Sequence, residues 1–149
     1  MLDQQKTIVK ATLPALKVHG EEITRYFYQE MLGAHPELRS MFNASDQADG
    51  TQAKRLAGAI LAYAGNIDRL DLLGTAVNQI ARSHVRVHVQ ADQYPIVGKY
   101  LLIAIKSVLG EAATPEVLEA WGAAYGQLAE IMISIEKGMY AEAAAVAAD

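Results

Sequence analysis

The sequence predicts an all-α domain, and three features carry that expectation. Apolar residues recur at intervals of three and four over long windows. Alanine, leucine and glutamate are frequent, while runs of β-branched residues are few. No stretch alternates apolar and polar residues as a half-buried strand does. With 149 residues, 52% of them hydrophobic and 20% charged, the chain has the size of one domain and the apolar content for a substantial core. No repeat and no linker divides it.

A first helix is expected from Asp3 to His19, capped by Asp3, with Ile8, Leu13 and Leu16 at apolar positions. Pro14 should bend it or end a first portion, and Gly20 should close it. A second helix is expected from Glu21 to Ala34. Ile23, Phe27, Tyr28, Met31 and Leu32 fall on one half of its wheel, and Glu22, Arg25, Gln29 and Glu30 on the other. His35-Pro36-Glu37-Leu38 starts a short helical turn that ends at Met41-Phe42. Residues Asn43 to Gly50 are polar and are expected to form a mobile loop or frayed turn.

A third helix is expected from Thr51 to Asn66, with Gln52, Leu56, Ala59, Ile60, Tyr63 and Ile67 on one face. Its small residues Ala57, Gly58, Ala62 and Gly65 should admit another helix closely. A fourth helix covers Asp71 to His84, and Leu73, Val77, Ile80 and His84 form its apolar stripe. His88 would extend that stripe by one turn, but Val85, Val87 and Val89 argue against a longer helix. A fifth helix starts at Ala91 or Asp92, carries Pro95 in its first turn, and ends at Leu109 before Gly110. Thr114-Pro115-Glu116 combines a cap, a first-turn proline and an acid near the dipole, and so starts the last helix. That helix reaches about Tyr140 on a stripe that includes Val117, Trp121, Ala124, Leu128, Met132 and Met139. Residues Ala141 to Asp149 form an alanine-rich tail without a packing pattern.

Composition excludes several classes of function. A net charge of −4 leaves no basic face for nucleic acid. The absence of cysteine rules out disulfides and thiolate metal sites. No charged-then-apolar leader opens the chain and no apolar run reaches membrane length, so a soluble cytoplasmic protein is the expectation. Phosphate-binding glycine motifs and the G-x-S-x-G turn are missing. His84-Val-Arg-Val-His88 spaces two imidazoles one turn apart, but it lacks the glutamate of the H-E-x-x-H motif and has no evident third ligand, which argues against zinc.

The stretch from Ala81 to Pro95 is where a metal or metallocofactor ligand should lie. It holds two of the four histidines, and Tyr94 follows His84 by ten residues. Few polar side chains look inward elsewhere: Tyr28, Gln52 and Glu136. Each has a plainer reading. Tyr28 fits a core tyrosine with a satisfied hydroxyl, Gln52 a solvated first-turn amide, Glu136 a surface carboxylate and His84 a hydrogen-bonded core side chain. One histidine on the pocket-facing stripe of a helical domain also suits haem ligation.

The order and spacing of several stretches decide between these. They are Phe27-Tyr28, His35-Pro36-Glu37-Leu38, Met41-Phe42-Asn43, Tyr63-Ala64-Gly65-Asn66-Ile67, Gln93-Tyr94-Pro95-Ile96-Val97-Gly98, Ala120-Trp121-Gly122 and Ala124-Tyr125-Gly126. From Leu2 to about Tyr140 the chain resembles the bacterial haemoglobins of the Vitreoscilla type and the globin domain of flavohaemoglobins. The resemblance implies a globin fold and haem b. It implies His84 as the proximal ligand to iron, with Tyr94 and Glu136 as its hydrogen-bonded partners. It implies Tyr28 and Gln52 as the polar pair on the distal side, Phe42 packed on the haem and Leu56 near the iron. One departure is the pair Lys99 and Tyr100, where the family often carries an acid and a histidine.

Two functions follow from the resemblance. One is nitric oxide dioxygenation, in which dioxygen and nitric oxide give nitrate and a NAD(P)H-dependent flavin reductase supplies electrons. The other is a non-enzymatic carrier that buffers dioxygen for a respiratory oxidase. The sequence shows no flavin or nicotinamide domain, so either a natural single-domain globin or the globin part of a flavohaemoglobin is expected, with a reductase that is separate from or missing in this chain. The single-domain relatives imply a homodimer as one option. Lys54, Arg55, Arg82 and Arg86 are placed to meet haem propionates, or else are solvated surface charges.

Overall fold

A computed structural model describes residues 1–42 and 44–148 of the chain. Six α-helices and four short 3-10 turns account for its regular structure, with no strand among the described residues. The all-α expectation holds.

Helix α1 spans Asp3–Ala34 without a break, so the two helices expected on either side of Gly20 are one. Burial explains the difference. Val9, Leu16, Ile23 and Phe27 are all almost fully buried along one face. Each contributes roughly 1.5–3 kcal/mol, against about 4 kcal/mol for an interior proline and glycine together. Gly20 is a packing residue rather than a stop. A side chain there would place its Cβ 3.5 Å from the Cβ of Ala57 and 3.8 Å from Leu61 Cδ1. Asp3 is the first helical residue instead of the cap, and the Gln5 side chain accepts from the Leu2 N–H at 3.0 Å.

A 3-10 turn over Pro36–Met41 follows, as the sequence anticipates. Within the segment expected to be a loop, Asn43 lies outside the described residues, and α2 spans Ala44–Asp49. Asp46 sits in the first turn of α2, where the dipole favours it, and pairs with Arg55. Asp49 accepts from the Thr51 N–H at 2.9 Å. Gly50, at φ 83°, makes the corner into α3, and a side chain there would run into the Arg25 guanidinium.

Helix α3 spans Thr51–Gly65 and packs on α1. Of the four small residues expected to admit a neighbour, only Ala57 is buried. Ala53 and Ala64 are buried as well, while Gly58, Ala62 and Gly65 are exposed. The buried Thr24 hydroxyl donates to the Ala53 carbonyl at 2.8 Å and ties the two helices together. After a 3-10 turn over Leu70–Leu73, α4 spans Gly74–Arg86, starting later and ending later than expected. Helix α5 covers Tyr94–Leu109. Helix α6 covers Pro115–Ala148, with the Thr114 hydroxyl accepting from the Val117 N–H at 3.3 Å. It runs past Tyr140 because alanine and glutamate carry high helix propensity, although residues 141–147 are exposed.

Helix α1 packs against α3, α5 and α6, and α6 also meets α4 and α5. The Trp121 indole N–H donates to the Thr12 hydroxyl at 2.7 Å and pins α6 to α1. Two buried clusters result. The larger centres on Val9, Phe27, Met31, Ile105 and Trp121, and the smaller on Ala81, Tyr94, Ala129 and Met132. Between them the packing opens into a cavity. Among the described residues no helix is long and apolar enough to cross a membrane.

Candidate functional site

The end of α4 positions the first side chain of the site. Val89 N–H donates to the His84 carbonyl at 3.0 Å, and His88 N–H donates to the Val85 carbonyl at 3.1 Å. This crossed pair is a Schellman stop, and His88 occupies its left-handed position at φ 65°. The chain therefore turns away directly after the last helical turn. His84 stays on the inward stripe and His88 is exposed, so the two imidazoles do not converge.

His84 Nδ1 lies 2.9 Å from Glu136 Oε2 and 3.0 Å from the Tyr94 hydroxyl. Tyr94 in turn donates to the Glu136 carboxylate, at 2.9 Å to Oε1 and 2.7 Å to Oε2. Three separated stretches thus meet in one hydrogen-bonded cluster. Glu136 is only 3% exposed, and two donors converge on it, which is what a buried carboxylate requires. A carboxylate only accepts, so Nδ1 carries the imidazole proton and Nε2 holds the lone pair. Burial, and then the bond to Glu136, push the Tyr94 phenol far up, so Tyr94 remains a donor.

His84 and Tyr94 line the cavity between the two clusters. The space is about 1060 Å³ including its open mouth. Its walls are overwhelmingly apolar and include Phe42, Leu56, Ile80, Val97 and Met132. Tyr28 lines it as well, with Phe42 edge-on to the Tyr28 ring at 5.3 Å. Burial raises the Tyr28 phenol to about 12, against the opposing pull of the Gln52 hydrogen bond and the Arg55 charge. The Gln52 amide N–H donates to the Tyr28 oxygen at 3.4 Å, which leaves the phenol proton free to be given to an acceptor in the cavity. Gln52 itself is not among the residues that line the cavity, so it reaches the space through Tyr28.

Lys54, Arg55, Arg82 and Arg86 are all exposed and none lines the cavity. Among the described residues no group of three or more histidine, cysteine, aspartate or glutamate side chains could hold a bare metal ion.

One contributor escaped the sequence reading. The Tyr125 hydroxyl donates to the Tyr94 carbonyl at 2.6 Å and braces the start of α5. Its ring fits because Gly98 has no side chain. A Cβ there would stand 2.7 Å from Tyr125 Cε1. An isolated glycine inside an otherwise strong helical pattern, four residues after Tyr94, is the signal that could have revealed it.

Residues 25–132 match the family model described as Globin. The flavohemoprotein of Deinococcus radiodurans is 58% identical over 137 residues, covering 92% of this chain and 34% of the relative. That of Oceanobacillus iheyensis is 52% identical over 143 residues, covering 95% and 35%. The chain therefore spans about a third of the length of these curated relatives. Among solved structures, a bacterial globin from Campylobacter jejuni superposes with a TM-score of 0.88 at 41% identity, covering 93% of this chain and 99% of that one. A flavohemoglobin from Malassezia yamatoensis, with bound FAD and haem, gives 0.88 at 38% identity, covering 94% and 37%.

Proposed function

The chain belongs to the globin family, and from that premise we propose that it holds haem b through His84 and supports the oxidation of nitric oxide to nitrate by dioxygen. The residues fit the group. Haem brings four nitrogen ligands of its own and asks the protein for one imidazole and an apolar slot. The cavity offers one inward imidazole, a free Nε2 and apolar walls, and it lacks the ligand set that a bare ion needs. When bound, ferrous haem supplies reversible dioxygen binding and the redox chemistry that joins dioxygen to nitric oxide.

The chain's own side chains tune that chemistry from two sides. Glu136 accepts the Nδ1 proton of His84, which fixes the tautomer and makes Nε2 a stronger donor of electron density. Tyr94 holds the carboxylate in place through both of its oxygens. Opposite, Tyr28 offers a phenol proton where negative charge develops on the ligand, and Gln52 orients that phenol. Phe42 and Leu56 keep the space dry, which strengthens the Tyr28 interaction. Losing a hydrogen bond to a charged group costs about 1.5–3 kcal/mol, so Tyr28→Phe should speed dioxygen release roughly 10- to 150-fold.

The overall reaction takes dioxygen, nitric oxide and one electron to one nitrate ion. A NAD(P)H-dependent flavin reductase is the electron source in this proposal, which sets the domain in the cytoplasm beside its nicotinamide pool. The observation that carries the reading is the His84–Tyr94–Glu136 cluster, because a carboxylate behind the ligand makes the imidazole more basic and favours redox chemistry at the iron over storage alone. Nitric oxide consumption with and without an added flavin reductase tests it. Sustained turnover with the reductase supports dioxygenation. One stoichiometric burst under both conditions would instead support a carrier that delivers dioxygen to an oxidase.

A further inference from the structure

Tyr140 stands one helical turn beyond Glu136 on α6 and meets the same end of α4. Its hydroxyl donates to the Val89 carbonyl at 2.6 Å. The Val89 N–H donates in turn to the His84 carbonyl at 3.0 Å. Residues four apart on a helix share a face, so Glu136 and Tyr140 grip the end of α4 from one side of α6. Glu136 holds the His84 ring, and Tyr140, through Val89, holds the backbone that carries that ring. Burial, and then the Glu136 charge, raise the Tyr140 phenol, which keeps it a donor.

The turn between α4 and α5 depends on this second grip. Among the described residues, every other hydrogen bond of residues 87–90 is local to the turn and the end of α4. Packing does not replace it. A surface cavity of about 610 Å³, including its mouth, opens between the turn and α6, with Val89, Gln90 and Ala91 on one side and Ile133, Lys137 and Tyr140 on the other. Interiors are otherwise close-packed, and a void leaves its lining without contacts. The turn therefore has room to shift against α6, and the Tyr140 hydroxyl bridges that room. Val89 also lines the main cavity, so a shift of the turn is felt beside His84.

We propose that Tyr140 is a positioning residue for the iron ligand: by holding the Val89 carbonyl on α6, it sets the distance and angle of the His84–Glu136 hydrogen bond. The proposal rests on the haem reading of the main cavity. One hydrogen bond lets the end of α4 pivot about it, whereas two from one helix face fix its approach. Hydrogen bonds weaken steeply with misalignment. Without the Tyr140 hydroxyl, the Val89 carbonyl turns to solvent in the surface cavity and the turn drifts. Nδ1 of His84 then meets the carboxylate less squarely, and Nε2 becomes a weaker donor of electron density.

Resonance Raman spectra of the ferrous, haem-loaded protein read this effect. Tyr140→Phe keeps the ring and removes only the hydroxyl, so circular dichroism should show an intact fold and the Soret band one haem per chain. Its iron–histidine stretching band should be broader and lower in frequency than that of wild type, with a smaller shift than Glu136→Gln produces. In a Glu136→Gln background, Tyr140→Phe should leave the band where Glu136→Gln put it, because the bond through which Tyr140 acts is already gone. A tether with a structural role alone would lower the thermal midpoint without moving the band. An unmoved band in Tyr140→Phe would therefore overturn the proposal, and so would a full Tyr140→Phe shift on top of Glu136→Gln. A wild-type chain that takes up no haem would overturn the haem reading, and the role of Tyr140 with it.

Discussion

Gly98→Ala tests how the start of α5 is held. A Cβ at this position would lie 2.7 Å from Tyr125 Cε1 and 2.9 Å from Cδ1. Carbon atoms rest at about 3.5 Å or more, so the ring must move by roughly 0.8 Å. Its hydroxyl is fixed to the Tyr94 carbonyl at 2.6 Å and cannot follow without losing that bond. Overpacking of this kind costs about 1–3 kcal/mol, and a weakened neutral hydrogen bond about 0.5–1.5 kcal/mol. Alanine in a helix interior returns about 0.5–1 kcal/mol. The expected net loss is about 2 kcal/mol, which for a chain of this size lowers Tm by about 4–8 °C. Urea unfolding followed by circular dichroism should show a lower midpoint with an unchanged slope. In a Tyr125→Leu background the penalty should largely vanish, because the ring that the new methyl would strike is gone. A Gly98→Ala protein as stable as wild type, or more so, would refute the packing of Tyr125 on α5 and its bracing of Tyr94.

Other consequences are as open to measurement. The Tyr28 phenol ionises near 10.0 when unfolded and near 12 when folded, so the folded state keeps the extra proton in that window. Its contribution is intact below pH 10 and stability falls as pH rises towards 12, by about 1.4 kcal/mol per pH unit. Tyr28→Phe should flatten part of that alkaline fall, and Tyr63, Tyr94 and Tyr125, whose phenols burial also raises, should sustain the rest; an unchanged slope would place the Tyr28 phenol in water. Glu136→Gln turns an acceptor into an amide whose N–H₂ faces a donor, so it should cost about 1–3 kcal/mol and lower the iron–histidine stretching frequency of the haem-loaded protein. An unmoved Raman band would remove Glu136 from behind the ligand. His88→Gly should raise stability by about 0.5–1 kcal/mol, since a left-handed residue with a side chain carries about 1–2 kcal/mol of strain, offset in part by the freedom of glycine in the unfolded chain. A stability loss on thermal unfolding would contradict the Schellman stop.

Much of the fold was legible because burial follows helical period. The stripe Leu73, Val77, Ile80 and His84 identifies the inward face of α4 with no tertiary information. Likewise Thr114-Pro115-Glu116 marks the start of α6. Legibility failed where long-range packing outweighs local preference. Pro14 and Gly20 look like a bend and a stop, yet burial of Val9, Leu16, Ile23 and Phe27 against other helices carries α1 through both. The polar segment before Gly50 lacks an apolar stripe, and helix α2 there draws on contacts such as Arg55 to Asp46. In the site, the meeting of His84, Tyr94 and Glu136 spans 52 residues of sequence, so no local pattern encodes it. The family resemblance anticipated those residues. Tyr125 stayed hidden, because only the fold shows that Gly98 makes room for its ring.

Haem titration of wild type against His84→Gly and His88→Gly tests the account at its centre. His84 is the one imidazole that lines the main cavity, and His88 points to solvent from the turn beyond it. Wild type and His88→Gly should each take up one haem and show the same Soret band, with a five-coordinate ferrous form. His84→Gly should lose tight haem binding and recover the spectrum when free imidazole is added to fill the vacated place. A His84→Gly protein that binds haem with wild-type affinity and an unchanged spectrum, without added imidazole, would contradict the assignment of His84 and of the buried cluster behind it.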